Sequence, residues 1–448
     1  HSLFELKVSR ILTPLELFIC KQTTAAALLA LATIIALVLT NSPLSGYVLF
    51  VTHIDAGFVF HSWQVLMPLK EWVASGLMVF FFFLIGLELK REILAGRLRQ
   101  PKQVSLILFA AVGGMVCPAV IYLIINMNGP GASGWGIPMA TDTAFAMGVL
   151  AIMARKVSYG VSIFLTAMAI FDDIGAIIII SLFYSADIHL DYIIYSATTV
   201  ALLLAVNILG IRKGWVYLGL GVVLWLFVHH SGIHATLAGL LLAAVIPARP
   251  QIKQASFLNK ARTLLLNIEA HQQIENQNDH NRYILGEQSQ HDITTKIEET
   301  VRAVSTPLQR WETFLIYPVG IGVLPIFALF NAGVSLSAAN LIQAISSPIT
   351  QGIVLGLVIG KPLGVVSFVW LGKGLKLGSL PEGMSYAEVV GAGILGGIGF
   401  TMSIFITTLS FGDNSFMSEA AKTGIILASI ISACFAIIWF RFSRKTVG

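Results

Sequence analysis

Residues 161–184 read VSIFLTAMAIFDDIGAIIIISLFY, and their only acidic or basic side chains are the adjacent carboxylates of Asp172 and Asp173. A transmembrane helix needs about 20 mostly apolar residues, so this stretch is long enough to cross a bilayer. An ionisable side chain near the bilayer centre costs several kcal/mol, and such residues are functional by default. The stretch therefore predicts a membrane-spanning helix that carries a functional site.

The composition of the whole chain gives the same indication. Of its 448 residues 56% are hydrophobic and 11% are charged, and the mean hydropathy is +0.82. Soluble domains are about 25% charged, so the soluble class is excluded. The three cysteines lie far apart in apolar runs, which excludes a disulfide framework or zinc site based on their spacing. We expect an all-α polytopic membrane protein.

Windows of about 19 residues predict twelve transmembrane helices, of which the seventh and eighth are short. They lie near 23–40, 71–88, 104–126, 136–154, 161–184, 190–210, 214–230, 232–248, 313–332, 341–371, 385–411 and 417–440. The chain then divides into residues 1–248 with eight spans, an insert at 249–312, and residues 313–448 with four spans.

The lysines and arginines give the orientation. With the N-terminus inside, every basic residue of the 28 lies on the inner side except Lys70 and Lys422, which are outside, and Lys361, which is within a span. This bias is the positive-inside pattern, and it predicts that both termini are cytoplasmic. The net charge of +5 then reflects topology, and no nucleic-acid partner is expected.

Two connections between spans stand out. Residues 42–69 are predicted outside, alternate apolar with polar residues, and could form a surface hairpin through which two copies pair as a homodimer. Residues 249–312 are predicted inside, and two readings stay open for them. Helical spacing at 261–268 and 293–304 favours two amphipathic helices, whereas the polar 270–300 stretch is equally typical of a mobile linker.

Four charged residues lie deep inside predicted spans: Asp142, Asp172, Asp173 and Lys361. One reading is a structural ion pair between Lys361 and an aspartate, but it leaves two carboxylates unexplained. The other reading is an ion pathway. Successive helical residues diverge by about 100°, so one of the adjacent carboxylates can face a cavity while the other faces a neighbouring helix. Burial and mutual repulsion favour their protonated forms, so the pair can carry protons.

Two spans contain signals for a helix break near mid-membrane. Residues 136–145, GIPMATDTAF, combine a proline with small polar residues, and residues 391–401, GAGILGGIGFT, contain five glycines. The glycines could instead permit close helix packing. Unwound backbone at this depth must line a cavity or be buried in protein, and paired interrupted helices indicate a transporter's binding site. Oxygen ligands there suit a small hard cation, although spacing alone does not choose among Na⁺, K⁺ and H⁺.

Seven segments in order resemble the NhaA family of bacterial sodium/proton antiporters. They are GLELKRE (86–92), ATD (140–142), IFDDIGA (170–176), SGIHATLAG (231–239), NAGVSL (331–336), IGKPLG (359–364) and GGIGFTMSIF (396–405). The resemblance implies an inner-membrane carrier with inverted-topology repeats and crossed, broken fourth and eleventh helices. The insert at 249–312 is longer than the compact loop that the family pattern implies.

The resemblance also implies roles for individual residues. The position matching Asp173 is the main Na⁺ ligand and proton carrier, and Asp172 is either a partner carrier or the ion-pair partner of Lys361. Thr141 and Asp142 are expected to belong to the ion-binding site with the two aspartates, and Asp142 and Lys361 to compensate the half-helix ends.

Further positions match residues linked to pH response. Glu88, Arg91 and Glu92 correspond to a cytoplasmic cluster, and His234 corresponds to a position associated with pH dependence. Each has a plainer reading, a solvated helix end for the cluster and a packed interfacial histidine for His234.

The function implied is electrogenic, pH-regulated exchange of Na⁺ or Li⁺ for H⁺, with a role in pH homeostasis. The protein is expected to be a secondary transporter in the inner membrane, with its transported ions and membrane lipid as partners and no resident cofactor. Three alternatives are a sodium-coupled solute symporter, a passive cation channel and an intramembrane aspartyl protease. The first needs a roomy polar pocket, the second a ring of carbonyls or carboxylates, and the third a Gly-x-Gly-Asp element that is not found beside these aspartates.

Overall fold

The computed structural model describes residues 14–60, 63–94, 101–153, 157–184, 188–250, 305–412 and 415–443, with the isolated positions 263 and 295. The predicted insert at 249–312, including the predicted helices at 261–268 and 293–304, lies almost entirely outside the described residues. The described chain is helical apart from one two-stranded hairpin.

Eight helices of the described chain are long and apolar enough to cross a membrane. They are α1 (Pro14–Thr40), α3 (Leu69–Leu94), α4 (Pro101–Asn126), α6 (Tyr159–Phe183), α7 (Leu190–Ile208), α10 (Pro307–Asn331), α12 (Pro348–Gly374) and α15 (Ser415–Ser443). Three contain a π-helical turn: Trp72–Leu77 in α3, Pro318–Val323 in α10 and Gly356–Gly360 in α12.

Two further spans are broken. The first broken span consists of a 3-10 helix, Pro130–Met139, and α5 (Thr143–Ile152), which meet at an angle of 47°. The second consists of α13 (Tyr386–Gly396) and α14 (Phe400–Phe411), which meet at 44°. These are the fourth and eleventh predicted spans, so the all-α polytopic fold with two broken helices is confirmed.

The remaining helices are shorter: α2 (Ser45–Thr52), α8 (Gly214–His230), α9 (Leu237–Val245) and α11 (Ala338–Ser346). Helices α8 and α9 occupy the seventh and eighth predicted spans. At 17 and 9 residues they are shorter than the roughly 20 residues that a full crossing requires. A turn around Gly232, whose φ is +82°, separates them.

The structure corrects two predicted boundaries, and both corrections follow from capping. The predicted span at 341–371 is divided at Ser347, whose hydroxyl accepts a hydrogen bond from Ile349 N and caps α12. Pro348 follows, and proline cannot continue a preceding helix without losing a backbone hydrogen bond. The span predicted at 313–332 begins earlier, at Pro307, because Thr306 and Gln309 form a capping box.

The 42–69 connection contains α2 and an antiparallel hairpin of β1 (Asp55–Phe60) and β2 (Trp63–Pro68). Asp55 pairs with Pro68 and Gly57 with Leu66. The indole N–H of Trp72 donates to the carbonyl oxygen of Ala56 at 2.6 Å, which joins the hairpin to the start of α3.

Helices α4 and α12 approach closely enough that their backbones touch. A β-carbon added to Gly364 would overlap the carbonyl oxygen of Gly113, and one added to Gly113 would overlap that of Gly364. Small residues permit such close contact between membrane helices. The contact lies three residues after Lys361, so it fixes the position of the one basic residue predicted inside a span.

Gly364→Ala should therefore destabilise the protein by about 1–3 kcal/mol, because the methyl group meets backbone that cannot move aside. Gly374→Ala, in the same helix, is the matched control, since no atom lies within 4 Å of its added β-carbon. The melting temperature of the detergent-purified variants measures the difference. Equal melting temperatures would contradict the close α4–α12 contact.

Candidate ion-binding site

The two broken spans meet at their breaks. The backbone N–H of Asp142 donates to the carbonyl oxygen of Ile398 at 2.6 Å. The hydroxyl of Ser403 donates to the carbonyl oxygen of Ile137 at 2.8 Å. Backbone groups freed by unwinding in one span are thus satisfied by the other, as the low dielectric of a membrane interior requires.

Asp142 joins the N-termini of two half-helices. One carboxylate oxygen, Oδ1, accepts from the backbone N–H of Phe145 at 3.0 Å, so Asp142 caps α5. The other, Oδ2, accepts from the N–H of Thr401 at 2.9 Å and from its hydroxyl at 2.6 Å, at the start of α14. A helix N-terminus carries a partial positive charge, and this single buried carboxylate faces two of them.

Lys361 lies against the opposite kind of helix end. Its ammonium donates to the carbonyl oxygen of Met139, the last residue of the 3-10 helix. The same ammonium lies 2.6 Å from Oδ2 of Asp172, and both side chains are fully buried. Asp172 thus has the ion-pair geometry that was one of its two predicted alternatives.

Thr141 connects this ion pair to the second break. Its hydroxyl oxygen lies 2.8 Å from Oδ2 of Asp172 and 3.0 Å from the carbonyl oxygen of Gly396, at the end of α13. A hydroxyl has one proton, so it donates to one of these oxygens at a time. Thr141, Asp142, Asp172 and Lys361 are therefore assembled at one crossing.

Two carboxylate oxygens at this crossing have no hydrogen-bond partner among the described residues: Oδ1 of Asp172 and Oδ1 of Asp173. Both side chains are buried, with relative exposures of 0% and 2%. An unpaired oxygen of a buried acid is costly. It is therefore a position where a proton or a cation is strongly favoured.

The described residues contain no group of three or more histidine, cysteine or acidic side chains that could hold a metal ion. A cation bound by Asp172 or Asp173 would need further oxygen ligands from hydroxyls, backbone carbonyls or water. Hard monovalent and divalent cations are coordinated by such oxygen ligands, whereas softer transition metals prefer nitrogen and sulfur ligands.

Sequence reasoning missed Thr401 and the carbonyl oxygen of Met139. The signal for Thr401 was available, because this hydroxyl directly follows the second predicted break; Thr141, beside the first break, had been named only from the resemblance. The Met139 carbonyl had no signal, since a backbone oxygen is freed only by the local 3-10 geometry.

The residues predicted to respond to pH divide into two groups. Arg91 bonds Oε1 of Glu92 at 2.9 Å and forms an ion pair with Glu312, whose side chain is 5% exposed. Glu88 lies within electrostatic range of all three. Glu312 was missed by the sequence analysis, because the predicted span began at residue 313 whereas the helix begins at Pro307.

His234 does not join this cluster through any hydrogen bond found among the described residues. Its Nδ1 lies 2.7 Å from the hydroxyl of Thr236. Its ring packs edge-to-face on Phe405 of α14, with the ring centroids 5.2 Å apart. It therefore lies against the second broken span.

This fold and site define a class of protein: a polytopic membrane transporter whose buried carboxylates lie where two broken helices cross. Residues 16–440 match the sequence model of the family described as Na⁺/H⁺ antiporter 1. The Na⁺/H⁺ antiporter NhaA 1 of Saccharophagus degradans is 41% identical over 97% of this chain and 93% of its own length.

Two further relatives agree. The NhaA antiporter of Sulfurimonas denitrificans is 40% identical over 98% of this chain and 97% of its own. The NhaA 2 antiporter of Syntrophotalea carbinolica is 41% identical over 96% of this chain and 97% of its own length. The chain belongs to the NhaA family of Na⁺/H⁺ antiporters. The predicted family and the prediction of a secondary transporter, and not an enzyme, are confirmed.

Thr401→Val tests the bridge between the half-helices. The substitution removes the hydroxyl that donates a hydrogen bond to Asp142 but keeps the side-chain volume. We therefore expect the free energy of unfolding to fall by about 1–2 kcal/mol. Thr401→Ser keeps the hydroxyl and should stay close to the wild type. The measurement is the melting temperature of each purified variant in detergent. If the Val variant is as stable as the Ser variant, this hydrogen bond contributes nothing to stability.

Proposed function

We propose that this protein exchanges Na⁺ or Li⁺ for H⁺ by competition at Asp172 and Asp173. The observation that carries the proposal is the pair of buried carboxylate oxygens, one on each residue, without a hydrogen-bond partner among the described residues. A proton and a small cation satisfy the same oxygen, so neither binds without displacing the other. Coupling then follows from shared ligands.

The other charges of the site support this division of roles. Each half-helix end carries about half an elementary charge. The carboxylate of Asp142 faces two positive ends and is offset by them, while the ammonium of Lys361 contacts one negative end, at Met139, and the carboxylate of Asp172. Asp173, together with Asp172, which shares the ammonium of Lys361, then supplies the carboxylates that we propose to exchange protons for Na⁺.

Two carboxylates that each take up a proton support an exchange of two protons for one sodium ion. Two protons neutralise both carboxylates, whereas one Na⁺ neutralises one of them. A cycle that alternates between these states moves one net charge and is therefore electrogenic. When Na⁺ binds Asp172, the ammonium of Lys361 keeps a partner in the Met139 carbonyl oxygen.

In this cycle the deprotonated pair accepts Na⁺ from the cytoplasm, the site opens outward, and protons displace the cation. The competing symporter mechanism would need a polar pocket for a solute. Thr141, Asp142 and Lys361 at this crossing are instead hydrogen-bonded to neighbouring protein atoms, while Asp172 and Asp173 each contribute a carboxylate oxygen without a partner among the described residues. That arrangement favours an ion over an organic substrate.

Asp173→Asn should abolish exchange, because the amide can neither carry the proton nor supply the charge that binds Na⁺. The experiment uses proteoliposomes with an acidic interior and an internal pH dye. Adding Na⁺ or Li⁺ outside should raise the internal pH for wild type, K⁺ should not, and the variant should stay at the level of empty liposomes.

Asp191→Asn is the matched control, since Asp191 is an exposed carboxylate at the start of α7, and it should exchange normally. An active Asp173→Asn variant would exclude this carboxylate as the carrier. Valinomycin with K⁺ on both sides should accelerate wild-type exchange by removing the opposing membrane potential; an unchanged rate would exclude electrogenic transport.

Regulation by pH is proposed to act through the cluster of Glu88, Arg91, Glu92 and Glu312. The Arg91–Glu312 ion pair joins α3 to α10, so protonation of the acids changes a contact between two spans. In this way the cytoplasmic pH changes the packing of two helices without any proton having to enter the ion site.

Glu312→Gln breaks the ion pair at every pH and should therefore make exchange less dependent on pH between 6.5 and 8.5. Glu382→Gln, at an exposed position, is the control and should keep the wild-type profile. The initial rate of internal alkalinisation at each pH is the measurement. Identical profiles for both variants would remove Glu312 from the pH response.

The remaining proposals concern the setting of the protein. The positive-inside bias supports insertion in the bacterial inner membrane with both termini in the cytoplasm. The hairpin of β1 and β2 is the segment proposed to pair two copies as a homodimer, with membrane lipid as the further partner.

A further inference from the structure

The last helix, α15, carries a buried polar stripe. Ser418, Lys422, Ser429 and Ser432 are spaced by four, seven and three residues and have relative exposures of 8%, 7%, 9% and 0%. This spacing places them on one face of the helix.

The same face of α15 packs on the second broken span. Phe440 lies against Gly391 in α13, and Ser432 lies against Gly397 at the break. The stripe is therefore directed at an element that must rearrange if the ion site is to open alternately to the two sides of the membrane.

Hydroxyls inside membrane helices usually donate to the carbonyl oxygen four residues earlier. Many in this chain do so at 2.6–2.8 Å: Thr33, Thr40, Thr198, Thr199, Ser346, Ser367, Thr407, Ser410 and Thr423. The hydroxyls of Ser429 and Ser432 have no hydrogen-bond partner among the described residues. Ser432 is the more costly case, because it is completely buried.

The position of Ser432 suggests a role for its unbonded hydroxyl. Its Oγ lies 2.6 Å from the point that a β-carbon on Gly397 would occupy, and the carbonyl oxygen of Leu357 lies 2.5 Å from the same point. Leu357 belongs to the π-helical turn Gly356–Gly360, directly before Lys361. The hydroxyl of Ser432 and the carbonyl oxygen of Leu357 thus both lie beside the α-carbon of Gly397, but they do not form a hydrogen bond with each other.

We infer that Ser432 is a positioning residue for the transport cycle. Its hydroxyl is unbonded in the described conformation. When the site faces the other side of the membrane, the hydroxyl donates to the backbone at the second break or to the carbonyl oxygen of Leu357. The orphan hydroxyl raises the energy of the described conformation, and the hydrogen bond lowers that of the other. Both effects reduce the free-energy difference between the two conformations that exchange requires. The inference rests on the proposed alternating exchange.

Ser432→Ala separates this role from simple packing. Removing an unbonded buried hydroxyl should raise the melting temperature, while loss of the hydrogen bond in the other conformation should lower the maximal exchange rate about threefold. The Na⁺ concentration for half-maximal rate should stay near the wild-type value, because no ligand at Asp172 or Asp173 changes. Maximal rate and half-saturation are measured in the proteoliposomes described above.

Ser429→Ala is the matched control: the same substitution on the same helix face, at an unbonded hydroxyl that is not among the nearest neighbours of Gly397. It should raise the melting temperature without slowing exchange. The inference is overturned if Ser432→Ala exchanges at the wild-type rate or if both variants slow equally. It is also overturned if Ser432→Ala melts at a lower temperature, since the hydroxyl would then be bonded already, for example to a buried water. Absence of exchange by the wild type would instead refute the proposed function.

Discussion

The carboxylate of Asp142 connects the N-termini of α5 and α14, and the remaining geometry of the site depends on this bridge. Each broken span exposes unpaired backbone groups in an environment without water, and each unpaired group costs several kcal/mol. Asp142 satisfies N–H groups of both spans at 3.0 and 2.9 Å, and its own N–H satisfies a carbonyl oxygen of the second break. Neither break is stable alone, so the two spans determine each other's position.

Because Asp142 and the ammonium of Lys361 are opposed by helix ends, they remain charged at little cost throughout a cycle. In the proposed cycle, Asp172 and Asp173 are the residues whose charge varies. A doubly ionised and empty pair would place two adjacent carboxylates, opposed by the single ammonium of Lys361, in low dielectric, which is unfavourable. In the exchange proposed above, this electrostatic cost is what would couple the binding of protons to the release of a cation.

The sequence predicted the elements of this site better than their contacts. Asp142, Asp172, Asp173 and Lys361 were recognisable because a charge in an apolar run is conspicuous, and the breaks were marked by a proline and by clustered glycines. The contacts of Thr401 and Glu312 could not be predicted, because their partners lie 259 and 221 residues away. A threonine in a membrane helix normally bonds its own backbone, so its type alone does not show that it will cap another span. The division at Ser347 and Pro348 was likewise hidden by a continuous apolar pattern.

The direction of Lys361 illustrates why such contacts need the folded chain. The π-helical turn Gly356–Gly360 inserts one residue per turn relative to an α-helix, which rotates everything after it. The touching backbones at Gly113 and Gly364 then fix the height and angle of α12 against α4. Gly114 and Gly396 border the aliphatic part of the lysine, since β-carbons added to them would lie 3.6 and 3.5 Å from it. A buried ammonium thus reaches Asp172 and the 3-10 helix end only because small residues on two neighbouring helices leave a channel for its side chain.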